Sequence, residues 1–87
     1  MYRIIVKPKL NKKFAKLAKK NPKHIEIINK KRREIRKNPH RFKNLSGSFK
    51  HLKRVHINTN FVLTFSIDEE NKIVYLIDFD HHDNIYE

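Results

Sequence analysis

The chain has 87 residues and a formal net charge of +12, with 21 Lys and Arg against 9 Asp and Glu and no cysteine. That length suits one compact domain, residues 1–87, and the absence of cysteine excludes a disulfide framework and a thiolate zinc site. A domain this small buries roughly 60 to 65% of the surface its unfolded chain exposes, so size alone makes a stabilising partner plausible.

Residues 2–7, YRIIVK, read as a short strand stopped by Pro8, which has no amide to give to a ladder. The period then changes. Leu10, Phe14, Leu17 and Ala18 fall on one helical stripe, and lysines fill the rest of residues 9–20. Asn21-Pro22 reads as an N-cap followed by proline at the first helical position, opening a second helix that runs to about Asn38, before Pro39. Ile25, Ile28 and Ile35 form its expected buried stripe, with the aliphatic stem of Arg32 laid over the core. His24, His40 and His51 sit among basic residues and are expected at the surface.

Gly47, the only glycine, marks a turn, after which the period falls to two. Val55 and Ile57 alternate with Leu52, Arg54 and His56. Phe61, Leu63, Phe65 and Ile67 alternate with Val62, Thr64 and Ser66, and DEEN at 68–71 turns the chain into KIVYLIDF. The predicted order is β-α-α-β-β-β, an α+β fold with a helical hairpin packed on one face of a small antiparallel sheet. The third and fourth strands are apolar on both faces, and two helices cover only one. The open face therefore either carries an apolar patch of the kind that marks a binding surface, which is the expectation here, or is wrapped by strand ends and termini.

Charge is distributed unevenly. Residues 1–56 hold 20 Lys and Arg against 2 acids, a net of +18, and residues 57–87 hold 1 lysine against 7 acids, a net of −6. Such a field favours a polyanion through counterion release, nucleic acid first, and also attracts an acidic protein partner. The duller reading is the lysine-rich solvated surface of a heat-adapted protein. No apolar run of secretory or membrane type is present, so the expected location is the cytoplasm, with no membrane partner.

The segment NLSGSFKHLKRVHINTNFVLTFSID at 44–68, together with the two helices and the HHDNIY ending, resembles the RelE/ParE superfamily of bacterial and archaeal toxins and is nearest to its YafQ-like branch. The spacing that carries the resemblance is Leu45-x-Gly47, His56-Ile57, Phe61-x-Leu63-x-Phe65, then His82 and Tyr86. The resemblance implies a type II toxin: a ribosome-dependent endoribonuclease, or mRNA interferase, that cuts mRNA in the ribosomal A site. It also implies a cognate RelB- or DinJ-type antitoxin, bound as a heterodimer or heterotetramer. His56, His82 and Tyr86 match family positions. The chain departs from the pattern at Lys43, where the YafQ-like pattern has histidine, at Asn60, where it has aspartate, and at Val62, where RelE- and YoeB-type members have arginine. A ParE-type poison of gyrase and a non-catalytic binding module are the alternatives.

RNA carries its own nucleophile, the 2′-OH beside each phosphate. Cleavage without metal or cofactor then needs in-line positioning, a proton acceptor and donor, and cations around the phosphorane. Histidine titrates near neutrality, so His56 and His82 are the acid-base candidates, with Lys43 and Tyr86 completing the catalytic set and Tyr86 suited to stacking on a splayed base. Arg41, Lys50, Lys53, Arg54 and Asn60 are the expected RNA contacts. Asp78, Asp80 or Asp83 is expected to fix a histidine tautomer. By residue pattern alone His56 is a solvent-facing strand residue and Tyr86 an anchor for the chain end. His81 and His82 beside Asp80 and Asp83 suggest a metal, but neighbouring strand residues point to opposite faces, so no metal is expected and His81 reads as a spacer.

Overall fold

The computed structural model describes residues 1–85; Tyr86, one of the expected catalytic residues, lies outside the described residues. The chain runs β1 (Arg3–Val6), α1 (Pro8–Lys20), α2 (Pro22–Lys37), two 3-10 turns (Pro39–Arg41 and Gly47–Phe49), β2 (Lys53–Ile57), β3 (Phe61–Asp68), β4 (Ile73–His81) and α3 (His82–Ile85). Pro8 ends the strand and opens α1 from its first turn. Asn21 then serves both helices at once. Its amide donates to Leu17 O (2.7 Å), closing α1, and its side chain accepts from His24 N (3.3 Å), capping α2. One residue therefore forms the whole joint of the helical hairpin.

The α+β class and the element order agree with the sequence reading, and β2-β3-β4 form an antiparallel meander. The full sheet is mixed, however, in the order β1-β4-β3-β2, because β1 lies parallel to β4, with Arg3 opposite Ile73 and Val6 opposite Leu76. Parallel neighbours need a long connection, which the helical hairpin and the meander between them supply.

The helices cover the face bearing Val55, Ile57, Leu63, Phe65, Val74, Leu76 and Phe79, and Leu10, Ile28 and Ile35 close the core over it. His24 joins this core. Only 8% exposed, it meets the rings of Phe61 (centroids 4.9 Å apart) and Phe79 (6.4 Å) edge-on, with Nε2 3.3 Å from Asn58 Nδ2. The surface position expected for it fails because the buried stripe of α2 is centred on residues 24, 28 and 35, leaving Ile25 half-buried.

A bulge shifts the phase of β4. Thr64 pairs with Asp78 but Phe65 pairs with Leu76, so Ile77 is the extra residue. Before it the even residues Val74 and Leu76 enter the core, and after it Phe79 does, while Asp78 and Asp80 leave it. β4 also outruns β1, and its uncovered edge is closed by side chains: Asp78 Oδ1 accepts from Phe79 N (2.8 Å), Asp80 Oδ1 accepts from His81 N (2.7 Å), and Lys13 Nζ donates to Phe79 O (3.2 Å) and to Asp78 Oδ1 (2.8 Å). Charges so placed blunt an edge against further pairing.

On the open face, Val62 (0% exposed) and Leu45 (6%) are covered, while Phe49 (36%) and Ile5 (40%) are not. The wrapping alternative thus holds for the middle of that face. The 44–52 loop and α3 leave a groove of about 280 Å³ lined by Leu45, Phe49, Leu52, Ile77 and Ile85, rather than a broad patch.

Glu69, in the β3-β4 turn, ties three distant segments together. It accepts from Lys72 Nζ (2.6 Å) and Tyr2 Oη (2.7 Å) and meets His40 Nε2. The Lys72 ammonium first, then Tyr2 and His40, hold its carboxyl down to about 2, below the ordinary 4.5. A depressed carboxylate pKa adds stability that is present above the unfolded value and lost as pH falls through the folded one. Thermal melts are therefore expected to show the Tm gap between wild type and Glu69→Gln shrinking as pH drops from about 4.5 toward 2. A gap independent of pH across that window would remove the clasp as its cause.

Candidate functional site

Along β2, side chains alternate. Val55 and Ile57 go inward, and Arg54 and His56 share the open face, with Arg54 Nη1 3.5 Å from His56 Nδ1. β4 ends at His81, and the chain turns at once into α3, where His82 N donates to Asn60 O (2.7 Å). That bond pins the turn to the β2-β3 loop and brings His82 over the same face. Asn44, Leu45, Ser46, Arg54, His56 and His82 then line one open cavity of about 400 Å³. Among the described residues no carboxylate lines it.

The loop wall of this cavity is built by two side chains. Asn44 Nδ2 donates to Lys50 O (2.7 Å), and Lys53 Nζ donates both to Asn44 Oδ1 (2.8 Å) and to Phe42 O (2.9 Å). Leu45 N donates to Leu52 O (2.8 Å) and Arg54 N to Lys43 O (2.9 Å), so the loop continues the sheet beyond β2. Gly47, at φ +66°, makes the turn possible, since the left-handed region is costly for side chains with a Cβ.

Among the expected acids, Asp83 meets the histidine rings. Its Oδ1 is 3.1 Å from His82 Nδ1 and its Oδ2 3.6 Å from His81 Nδ1. Asp78 and Asp80 turn to the strand edge and Lys13 instead. Hydrogen bonding by Asn84, ahead of the other contributions, lowers the Asp80 pKa, and hydrogen bonding to Asp78 raises that of Lys13. His81 packs edge-on against the Phe61 ring (5.6 Å) on the side away from the cavity. Among the described residues, no group of three or more His, Cys, Asp or Glu is placed to hold a metal ion.

The other expected site residues divide. Lys53 is committed to Phe42 O and Asn44, and the pairing of its strand position with Phe65 puts it on the helix-covered side, so it does not face the cavity. Arg41 lies over the Phe42 ring (5.3 Å) and 3.8 Å from Glu34. Lys43 and Lys50 are exposed on the loop near the cavity without lining it, and Asn60 contributes its backbone carbonyl to His82. Asn44 and Ser46 line the cavity without having been singled out. The polar residues flanking Leu45 and Gly47 were the available signal.

A helical hairpin on a four-stranded mixed sheet is the fold of toxins of the RelE/ParE superfamily. Three solved structures share it. They are a YoeB/ParE toxin from Agrobacterium tumefaciens (TM-score 0.82, 12% identity, 92% of this chain and 98% of that one), the RelBE2 toxin-antitoxin complex from Mycobacterium tuberculosis (0.77, 18%, 93% and 98%), and YafQ from E. coli (0.75, 16%, 100% of both). In sequence, a Methanocaldococcus jannaschii protein named "Putative toxin RelE4" is 51% identical over 86 residues, spanning 99% of this chain and 92% of its own length. An uncharacterized protein of Methanosarcina mazei is 58% identical over 86 residues, spanning 99% and 100%. No family model matches. The chain belongs to the RelE toxin family.

Proposed function

We propose that this protein is the toxin of a type II toxin-antitoxin pair and that it acts as a ribosome-dependent endoribonuclease without a metal or other cofactor. The observation that carries the reading is the convergence of His56, His82 and Arg54 on one cavity. One imidazole takes the proton of the 2′-OH. The 2′-oxygen attacks the adjacent phosphorus, the bond to the 5′-oxygen breaks, and the other imidazole protonates that leaving oxygen, giving a 2′,3′-cyclic phosphate and a 5′-OH end. Arg54 offers a planar donor fork to the phosphorane, whose charge would otherwise build up in a site with little compensation. Asp83 orients His82 by accepting from its Nδ1. The exposed cations Lys43 and Lys50 border the cavity and suit contacts with RNA phosphates.

An antitoxin is the proposed partner, supported by the family and by the structural likeness to a RelBE2 toxin-antitoxin complex. The proposed place of action is the ribosome in the cytoplasm. Among the described residues no helix is long and apolar enough to cross a membrane. Purified protein added to ribosomes carrying a bound mRNA is expected to cut the message, and primer extension reads the new 5′ ends. An intact message together with blocked supercoiling by gyrase would replace this reading with the ParE-type one.

A further inference from the structure

His24 and Thr64 are the buried polar side chains among the described residues. Thr64 is matched within the sheet, where its Oγ1 donates to Asp78 O (3.4 Å). His24 is matched across layers. Asn58 Nδ2, on the turn between β2 and β3, donates to its Nε2 (3.3 Å), while the ring meets Phe61 and Phe79 edge-on. The ring contacts alone would be met by phenylalanine, and an imidazole taken out of water costs stability unless its nitrogens are bonded. The nitrogen at this place therefore answers the turn rather than the core.

That turn joins both imidazoles of the candidate site. His56 lies on β2 just before it, and Asn58 enters it at φ +61°, a left-handed conformation that asparagine tolerates better than most side chains. Asn60 O then accepts from His82 N (2.7 Å), and the next residue, Phe61, meets the His81 ring edge-on (5.6 Å). His24 grips the turn at both ends, through Nε2 at Asn58 and through its ring at Phe61 (centroids 4.9 Å apart). The start of α2 fixes His24 itself, because its amide donates to the capping Asn21 Oδ1 (3.3 Å).

Resting on the nuclease reading, we propose that His24 is a positioning residue for the cavity: it locks the 58–61 turn against α2 and thereby sets the spacing of the His56 and His82 rings. His24 does not line the cavity. Its support passes to Asn58 and Phe61, and from the same turn to His82 through Asn60 O. A misplacement of about 1 Å between reacting groups can cost about 10²-fold in rate, so an anchor outside the cavity can still govern turnover. Acid-base groups need such supporting bonds to hold their productive geometry before substrate arrives.

The test sets turnover against stability in the full chain. His24→Phe keeps a ring and loses the nitrogen, so it is expected to melt near wild type while kcat for cleavage of ribosome-bound mRNA falls about 10-fold at unchanged KM. His24→Gln keeps an acceptor for Asn58 and loses the ring, so it is expected to melt lower yet retain most of kcat. A residue that only packs would rank the two variants in the same order by both measures, and that result overturns the proposal. Asn58→Gly, at an exposed position, is expected to match the kcat loss of His24→Phe, with the double variant no worse than either single. Wild-type kcat in folded Asn58→Gly overturns it as well. Independently of cleavage, amide exchange on nitrogen-15-labelled protein is expected to show the His82 amide exchanging about 10-fold faster in His24→Phe and in Asn58→Gly. An unchanged His82 amide in both sinks the anchor. Wild-type protein that cuts no message removes the nuclease reading, and the exchange result still decides whether His24 holds the turn.

Discussion

Alanine at His56 or at His82 is expected to lower cleavage of ribosome-bound mRNA by roughly 10²-fold or more, the range typical of losing an acid-base group. Both side chains are exposed and neither belongs to the hydrophobic core, so the melting temperature of each variant is expected to stay near wild type. If the two act on one transesterification, the double variant is expected to lose far less than the product of the single losses, because residues acting as a unit are non-additive. Primer extension on programmed ribosomes, with melting curves beside it, separates a chemical effect from a folding one. Wild-type cleavage by either folded single variant would take that histidine out of the site.

The largest expected effect on stability lies at Phe65. It is 0% exposed at the centre of the core, with the Phe42 ring edge-on at 5.8 Å and 86°, and it stands opposite Leu76 just past the bulge. Phe65→Ala removes buried rings' contacts and leaves a cavity, a change that costs about 3–5 kcal/mol in other cores. A domain's whole stability is about 5–15 kcal/mol, so such a loss would leave this one near its unfolding threshold. Phe49→Ala, at a 36% exposed position on the loop, is expected to change stability by about 0.5 kcal/mol or less. Urea unfolding monitored by circular dichroism compares the two. A loss below about 1 kcal/mol at Phe65 would mean that the core closes around the gap.

What could be read of the site followed the same division between local and distant information. The family resemblance nominated both His56 and His82, which residue pattern alone did not, and the structure brings them to one cavity with Arg54. Lys53 was nominated with its basic neighbours, yet its strand position faces the helices and its ammonium holds the 42–44 segment. A run of cations looks uniform in sequence, while strand alternation sends every second one to the other side. Asn44 drew no attention because a polar residue near a turn is ordinary. Its value lies in bridging Lys53 and Lys50.

By itself the sequence determined what depends on near neighbours: helical and strand periods, the Asn21-Pro22 joint, the Gly47 and DEEN turns, and the charge imbalance between residues 1–56 and 57–87. Those features follow from propensity and period, which act over a few residues. Only the tertiary structure decided that β1 lies parallel to β4, since Arg3 and Ile73 meet across 70 positions of chain by fitting a shared core rather than by any local signal. The bulge at Ile77 likewise arises where β4 must serve two neighbours of unequal length, and it sends Phe79 inward and the acids beside it to the edge. The burial of His24 against Phe61 and Phe79, on the same side of α2 as Ile28 and Ile35, was settled by the rotation at which the helix meets the sheet.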